Sequence, residues 1–125
     1  MQNSPGQSYR NLRVWTEAMT LAEQCYRLTR GFPKDELYGM TSQIRRSAAS
    51  VPANIAEGYG RENRGEYIHS LRLAQGSLKE LETHILLSQR VGLASETAFE
   101  PLVTQCETVG KMLRALIRTL QNKEA

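Results

Sequence analysis

An all-α fold, an antiparallel up-and-down bundle of four helices, follows from three features of the chain. Apolar residues recur every three or four positions along four separate stretches. Each stretch is bounded by Asn, Ser, Asp, Gly or Pro, the residues that start and stop helices. No stretch alternates apolar and polar residues as a strand does. At roughly 20 to 28 residues, each helix would be about 30 to 40 Å long, and the short connections make consecutive helices antiparallel neighbours. The 125 residues, 40% apolar and 23% charged, suit one domain with a continuous core. Its expected limits are residues 11–122, after a disordered, untethered polar tail over residues 1–10 that carries Pro5 and Gly6.

Asn11 is the expected N-cap of the first helix, whose apolar arc runs through Val14, Trp15, Ala18, Met19, Leu21, Ala22, Cys25, Tyr26 and Leu28. So wide an arc suits a helix touching two neighbours. Gly31, in a left-handed conformation, and Pro33 should stop it. Asp35 is placed to cap a second helix beginning near Glu36, with Thr41, Ile44, Ala48, Val51 and Ile55 on its core face. Pro52 lacks an amide hydrogen and crowds the carbonyl of Ala48, so a kink is expected there. Ser47, Ala48, Ala49 and Ala53 would let another backbone approach closely, and Gly58 and Gly60 should end the helix. Asn63 and Glu66 have capping-box spacing and open a third helix. In it Tyr67, Leu71, Ala74, Leu78, Leu81 and Ile85 alternate by four and three, like a coiled-coil seam. Gly76 within it costs about 1 kcal/mol against alanine, for which close packing is the expected reason. Gly92 closes it. Ser95 caps a fourth helix with Phe99, Leu102, Val103, Cys106, Val109, Leu113, Leu116, Ile117 and Leu120 in register, and Pro101 in its first turns predicts a ragged start.

The bulk properties narrow the function classes. A formal net charge of +3 permits attraction to nucleic acid without demanding it. No apolar run is long enough to span a membrane, and the N-terminus lacks the basic start and apolar core of a secretion signal, so a cytoplasmic location is expected. Cys25 and Cys106 are far apart and form no CxxC pair, which signals neither a zinc site nor a disulfide framework. Both fall on apolar helix faces, where a thiol acts as a small hydrophobe.

VWTEAMTLAEQCYRLTRGFPKDELYGM, then QIRRSAASVPANIAEGYGR, then EYIHSLRLAQGSLKELETHILL, resembles the four-helix bundle family of proteins encoded within intervening sequences of large-subunit ribosomal RNA. SVPANIAEG is the most specific segment. The likeness covers about Val14 to Leu93, and the last helix shares only its periodicity. The resemblance implies a left-handed up-down bundle that assembles into homopentamers. It also implies kinship with the accessory proteins of diversity-generating retroelements, which form a basic barrel that binds a reverse transcriptase and nucleic acid. This chain is only mildly basic by comparison.

Catalytic chemistry finds little purchase. Gly58-Tyr59-Gly60 starts like a dinucleotide-binding turn, but Asn63 stands where its third glycine belongs and no strand precedes it. Glu66-x-x-His69 is half of what a di-metal bundle needs, and His69 lies about 200° from Tyr67 and Leu71, facing outward. His84 is expected to be partly buried beside Ile85. No nucleophile is spaced to meet a histidine, and Glu80 and Glu82 project about 200° apart, so they make no acid–base pair. The chain is therefore expected to be no enzyme and to need no cofactor or metal.

Two residue sets remain. Asn54 and Glu57 share a helix face beside Pro52 and Gly58, and these four are candidate structural or oligomer contacts. Arg45, Arg46, Arg61, Arg64 and Arg72 are the densest cations, expected around the junction of the second and third helices. They are the candidate nucleic-acid contacts, although each could instead pair with Glu57, Glu62 or Glu66 as an ordinary surface ion pair. Tyr59 and Tyr67 are the aromatic residues near enough to stack on bases. The expected function is a homo-oligomeric scaffold, pentameric by the resemblance, that binds RNA or a nucleic-acid-handling protein. The alternatives are a protein–protein adaptor and, less favoured, a metal-binding bundle.

Overall fold

The computed structural model describes residues 8–123, and in them the four helices appear: α1 (Arg13–Thr29), α2 (Met40–Tyr59), α3 (Arg64–Arg90) and α4 (Glu96–Asn122), with no strand among the described residues. Each helix packs on the next in sequence and α4 closes the ring on α1, leaving the diagonal pairs apart. The register shows the antiparallel order directly. Gly58 lies against Ser70 and Ser50 against Ser77, so α3 runs down as α2 runs up. Gln105 of α4 reaches the Glu17 carbonyl of α1 at 2.9 Å.

The seam residues read from periodicity form one core. Ile44, Ala48, Val51 and Ile55 of α2 are fully buried, as are Leu71, Ala74 and Leu81 of α3 and Phe99, Val109 and Leu113 of α4. Phe99 meets Phe32 at 6.4 Å between ring centroids, which plugs the end of the bundle where α1 stops and α4 starts. Fully burying one such side chain is worth about 1.5–3 kcal/mol, so the seam holds the helices together.

The helix ends divide into those the local residues decide and those decided by packing. Asn63 accepts from the Glu66 amide at 3.1 Å and Ser95 from the Ala98 amide at 3.3 Å, as expected of N-caps. Gly92 has φ +78°, with Leu93 N bonded to Ser88 O and Gly92 N to Gln89 O, a complete Schellman ending. Pro101 leaves α4 unbroken from its Ser95 cap, so the ragged start does not occur.

Three other ends differ from expectation. Asn11 is not the cap of α1. It closes a 3-10 turn, Tyr9–Asn11, and Leu12 precedes the helix. Ser8 caps that turn and Tyr9 packs on Trp15, so ordered chain starts before residue 11, while the rest of the expected tail lies outside the described residues. Gly31 has no positive φ, because bonds from Gly31 N to Leu28 O and from Phe32 N to Thr29 O tighten the chain and turn it with Phe32 tucked inside. Asp35 does not cap α2. It sits in a second 3-10 turn after Pro33, and the helix starts at Met40, whose amide donates to the Glu36 carboxylate at 3.0 Å.

Pro52 lies inside α2 without ending it. Gly58 is helical and Gly60 is the residue that caps, so Gly58 does not terminate the helix as expected. A Cβ at Gly58 would stand 2.7 Å from the Ser70 Cβ and 3.0 Å from the Tyr67 ring. The glycine is what lets α2 and α3 come together, and they are the closest pair in the bundle. Gly76 reverses its expectation too, since a Cβ there would meet nothing within 4 Å.

Candidate nucleic-acid interface

The five arginines singled out by sequence do not form one patch. Arg61 and Arg64 stand at the α2–α3 junction and Arg72 is exposed two turns into α3. Arg45 and Arg46 belong to the second turn of α2, about 23 Å away along the helix at 1.5 Å per residue. Arg45 is also engaged within the fold. Its Nε donates to Thr29 Oγ1 at 2.8 Å, Thr29 donates in turn to the Cys25 carbonyl at 2.8 Å, and the guanidinium lies 4.7 Å from the Tyr26 ring centroid. A half-buried arginine so held clips α1 to α2. Arg61 pairs with Glu57 at 4.0 Å, both side chains half exposed, so the pair is weak. Arg46 and Arg72 are exposed and in no ion pair among the described residues.

Asn54 does act within the helix. Its amide nitrogen donates to the Ser50 carbonyl at 2.9 Å and to Ser50 Oγ at 3.1 Å, while Ser50 Oγ shares a 2.9 Å hydrogen bond with Ser77 Oγ of α3. A short polar ladder thus crosses from α2 to α3 beside Pro52. Glu57 takes no part in it and faces solvent.

The titratable groups carry no gathered chemistry. Burial pushes the Cys25 and Cys106 thiols up to about 12, so both are protonated and poor nucleophiles at neutral pH. Glu66 and His69 are both exposed. His84 is half-buried as expected, its Nε2 3.5 Å from a Glu80 oxygen, too long for a well-made hydrogen bond. No three His, Cys, Asp or Glu residues converge among the described residues. No described helix is long and apolar enough to cross a membrane.

Tyr59 and Tyr67 meet edge to face at 6.1 Å, and burial, followed by the neighbouring Tyr59, raises the Tyr67 hydroxyl to about 12. They pack on each other rather than offering a platform. On α1, Tyr26 is 42% exposed and Trp15 is partly buried against the core, whereas Tyr38, before α2, is 93% exposed. Trp15 and Tyr26, with Tyr9 before the helix, line a groove of about 570 Å³ between α1 and α2 whose floor is Ala49, Pro52, Ala53 and Ala56. Sequence reading placed Trp15 and Tyr26 in the α1 core arc. Trp15 does pack against that core, while Tyr26 is exposed; the signal that a groove remains beside them lay opposite, in the small residues of α2, which are too short to fill it. A second groove, about 790 Å³, opens between α3 and α4 over Leu78, Ile85 and Val103, with Gly76 and Gly110 on its two walls.

The family model of the 23S rRNA-intervening sequence protein matches residues 10–115. The chain belongs to that family, and the match reaches well into α4, beyond the region whose motifs carry the resemblance. A crystal structure of a protein with unknown function from the S23 ribosomal protein family of Bacteroides thetaiotaomicron is similar to this one, with a TM-score of 0.75 at 23% identity over 83% of this chain and 97% of that one. At that identity the likeness establishes the fold. No curated protein matches the chain.

Proposed function

We propose that this member of the intervening-sequence family is a non-enzymatic scaffold, a self-associating bundle that binds RNA or a nucleic-acid-handling protein through exposed cations. The observation that carries this reading is the pair Arg46 and Arg72, exposed and in no described ion pair on a chain of net charge +3. A charge spent on no internal contact is available to phosphate, and guanidinium suits phosphate oxygens. Protonated thiols and scattered carboxylates favour binding over nucleophilic or acid–base chemistry.

Self-association is supported by apolar side chains on the outer surface of α3, where Leu73, Leu86, Leu87 and Val91 just beyond are 46% to 61% exposed. A ring of five copies, which the family resemblance implies, would repeat each cationic site around an axis. Nuclease-treated protein titrated into labelled single-stranded RNA is expected to bind at about 50 mM salt and lose orders of magnitude in affinity by about 200 mM. Light scattering should give a mass several times that of one chain. Absence of binding at either salt would make the protein a protein–protein adaptor, and a single-chain mass would remove the oligomer.

A further inference from the structure

We infer that the groove between α1 and α2 is where single-stranded RNA lies, its bases stacking on Trp15 and Tyr26 and its phosphates on Arg27 and Arg30, a site that rests on the RNA-binding reading above. Strand binding without sequence preference needs flat aromatic faces at a surface and cations beside them at phosphate distance. This groove joins the two. Tyr9, Trp15 and Tyr26 line it together with Arg27 and Arg30, against one carboxylate, Glu23, which stands 3.7 Å from Arg27. Arg27 is two-thirds exposed and that pair leaves its charge largely free for exchange, while Arg30 is in no described ion pair.

The platform is also held in position. Tyr9 meets the Trp15 indole edge-on at 5.2 Å and 70°, which fixes the indole's tilt. Arg45 sits 4.7 Å from the Tyr26 centroid and is itself anchored to Thr29, so the phenol is braced from within the fold, yet it remains 42% exposed. Small residues opposite keep the cleft open, and about 570 Å³ is within the range of small-ligand pockets. The α3–α4 groove is larger but has no aromatic residue in its walls, and Glu82 and Glu107 stand among its cations. Phosphate and bases favour the first.

The chain has one tryptophan, and it is the proposed platform. A fluorescein-labelled oligouridylate of about 12 nucleotides, titrated into the full chain, is expected to quench Trp15 emission in step with the rise in fluorescein anisotropy. Tyr26→Ala should weaken binding about 5- to 150-fold, the value of one stacked base. Arg27→Ala with Arg30→Ala, both on the surface, should flatten the salt slope by about 1.4. If anisotropy rises while Trp15 emission stays constant and Tyr26→Ala binds like the parent, RNA sits elsewhere and this site is wrong, although the scaffold reading stands. If anisotropy does not change at all, the RNA reading itself fails and the site with it.

Discussion

Two seams of the same helix pair it with its neighbours in opposite ways. On its α2 side α3 is closed at the points where Gly58 admits Ser70 and Ser50 shares a hydrogen bond with Ser77. On its α4 side α3 carries Gly76, where a side chain would meet nothing, and the seam opens into about 790 Å³. Glycine is therefore a contact in one seam and an opening in the other. What differs is the partner facing it. Gly58 meets a serine and a tyrosine backbone, whereas Gly76 looks across a gap towards the wall that contains Gly110. A glycine within a helix says that a side chain is missing; only the opposite wall says why.

The sharpest way to break this contrast is Gly58→Ala. The new methyl would lie 2.7 Å from the Ser70 Cβ and 3.2 Å from the Tyr67 carbonyl oxygen, and the latter is main chain that cannot swing aside. Overpacking of this kind costs about 1–3 kcal/mol, partly offset by about 1 kcal/mol of helix propensity. A net loss of about 1 kcal/mol in urea unfolding is expected, with partial recovery when Ser70→Gly is added. An unchanged or raised midpoint would show that the seam has slack, and that the glycine is not what brings the helices together.

Gly76→Ala should do the reverse. With nothing within 4 Å of the added methyl, the helix-propensity term stands alone, and a gain of about 0.5–1 kcal/mol is expected by the same measurement. A loss instead would mean that the α3–α4 groove closes in solution and that the glycine is packed after all. That pair of outcomes, opposite in sign for one substitution type, tests the comparison without reference to any ligand.

What could be read from the sequence follows the same division. The core seams were legible because Leu71, Ala74, Leu81 and Ile55 sit at a period that only burial explains, and the caps at Asn63, Ser95 and Gly92 were legible because each is a local hydrogen-bonding device. The start of α2 was not. Asp35 and Glu36 look like an N-terminus, and Glu36 does accept a helix amide, yet that amide is Met40, four residues on. The expectation that the five arginines cluster at one junction missed for a related reason. Nearness in sequence put Arg45 beside Arg61, whereas one helix separates them by about 23 Å, and the sequence could not show Thr29 and Tyr26 waiting across α1 to hold Arg45. Trp15 was visible as an apolar residue, but the groove beside it depends on the alanines of another helix. Periodicity reports which face a residue is on, and says little about how large its neighbours are.

The smallest effect is expected at Glu57, and it separates the structural role of the α2 outer face from an intermolecular one. Asn54 and Glu57 share that face, but Asn54 holds Ser50 through two hydrogen bonds whereas Glu57 touches only Arg61, at 4.0 Å and with both side chains half exposed. Such a pair contributes about 0–0.5 kcal/mol, so Glu57→Ala should leave the thermal midpoint almost where it was. The informative reading is therefore mass rather than stability. A carboxylate that matters only for Arg61 can be lost without changing the mass measured by light scattering, but one that meets a cation of a second copy cannot. A fall in mass at an unchanged midpoint would place the copy-to-copy contact on the outer face of α2. An unchanged mass would send the search to the exposed leucines of α3, where Leu73→Glu is the next substitution to make.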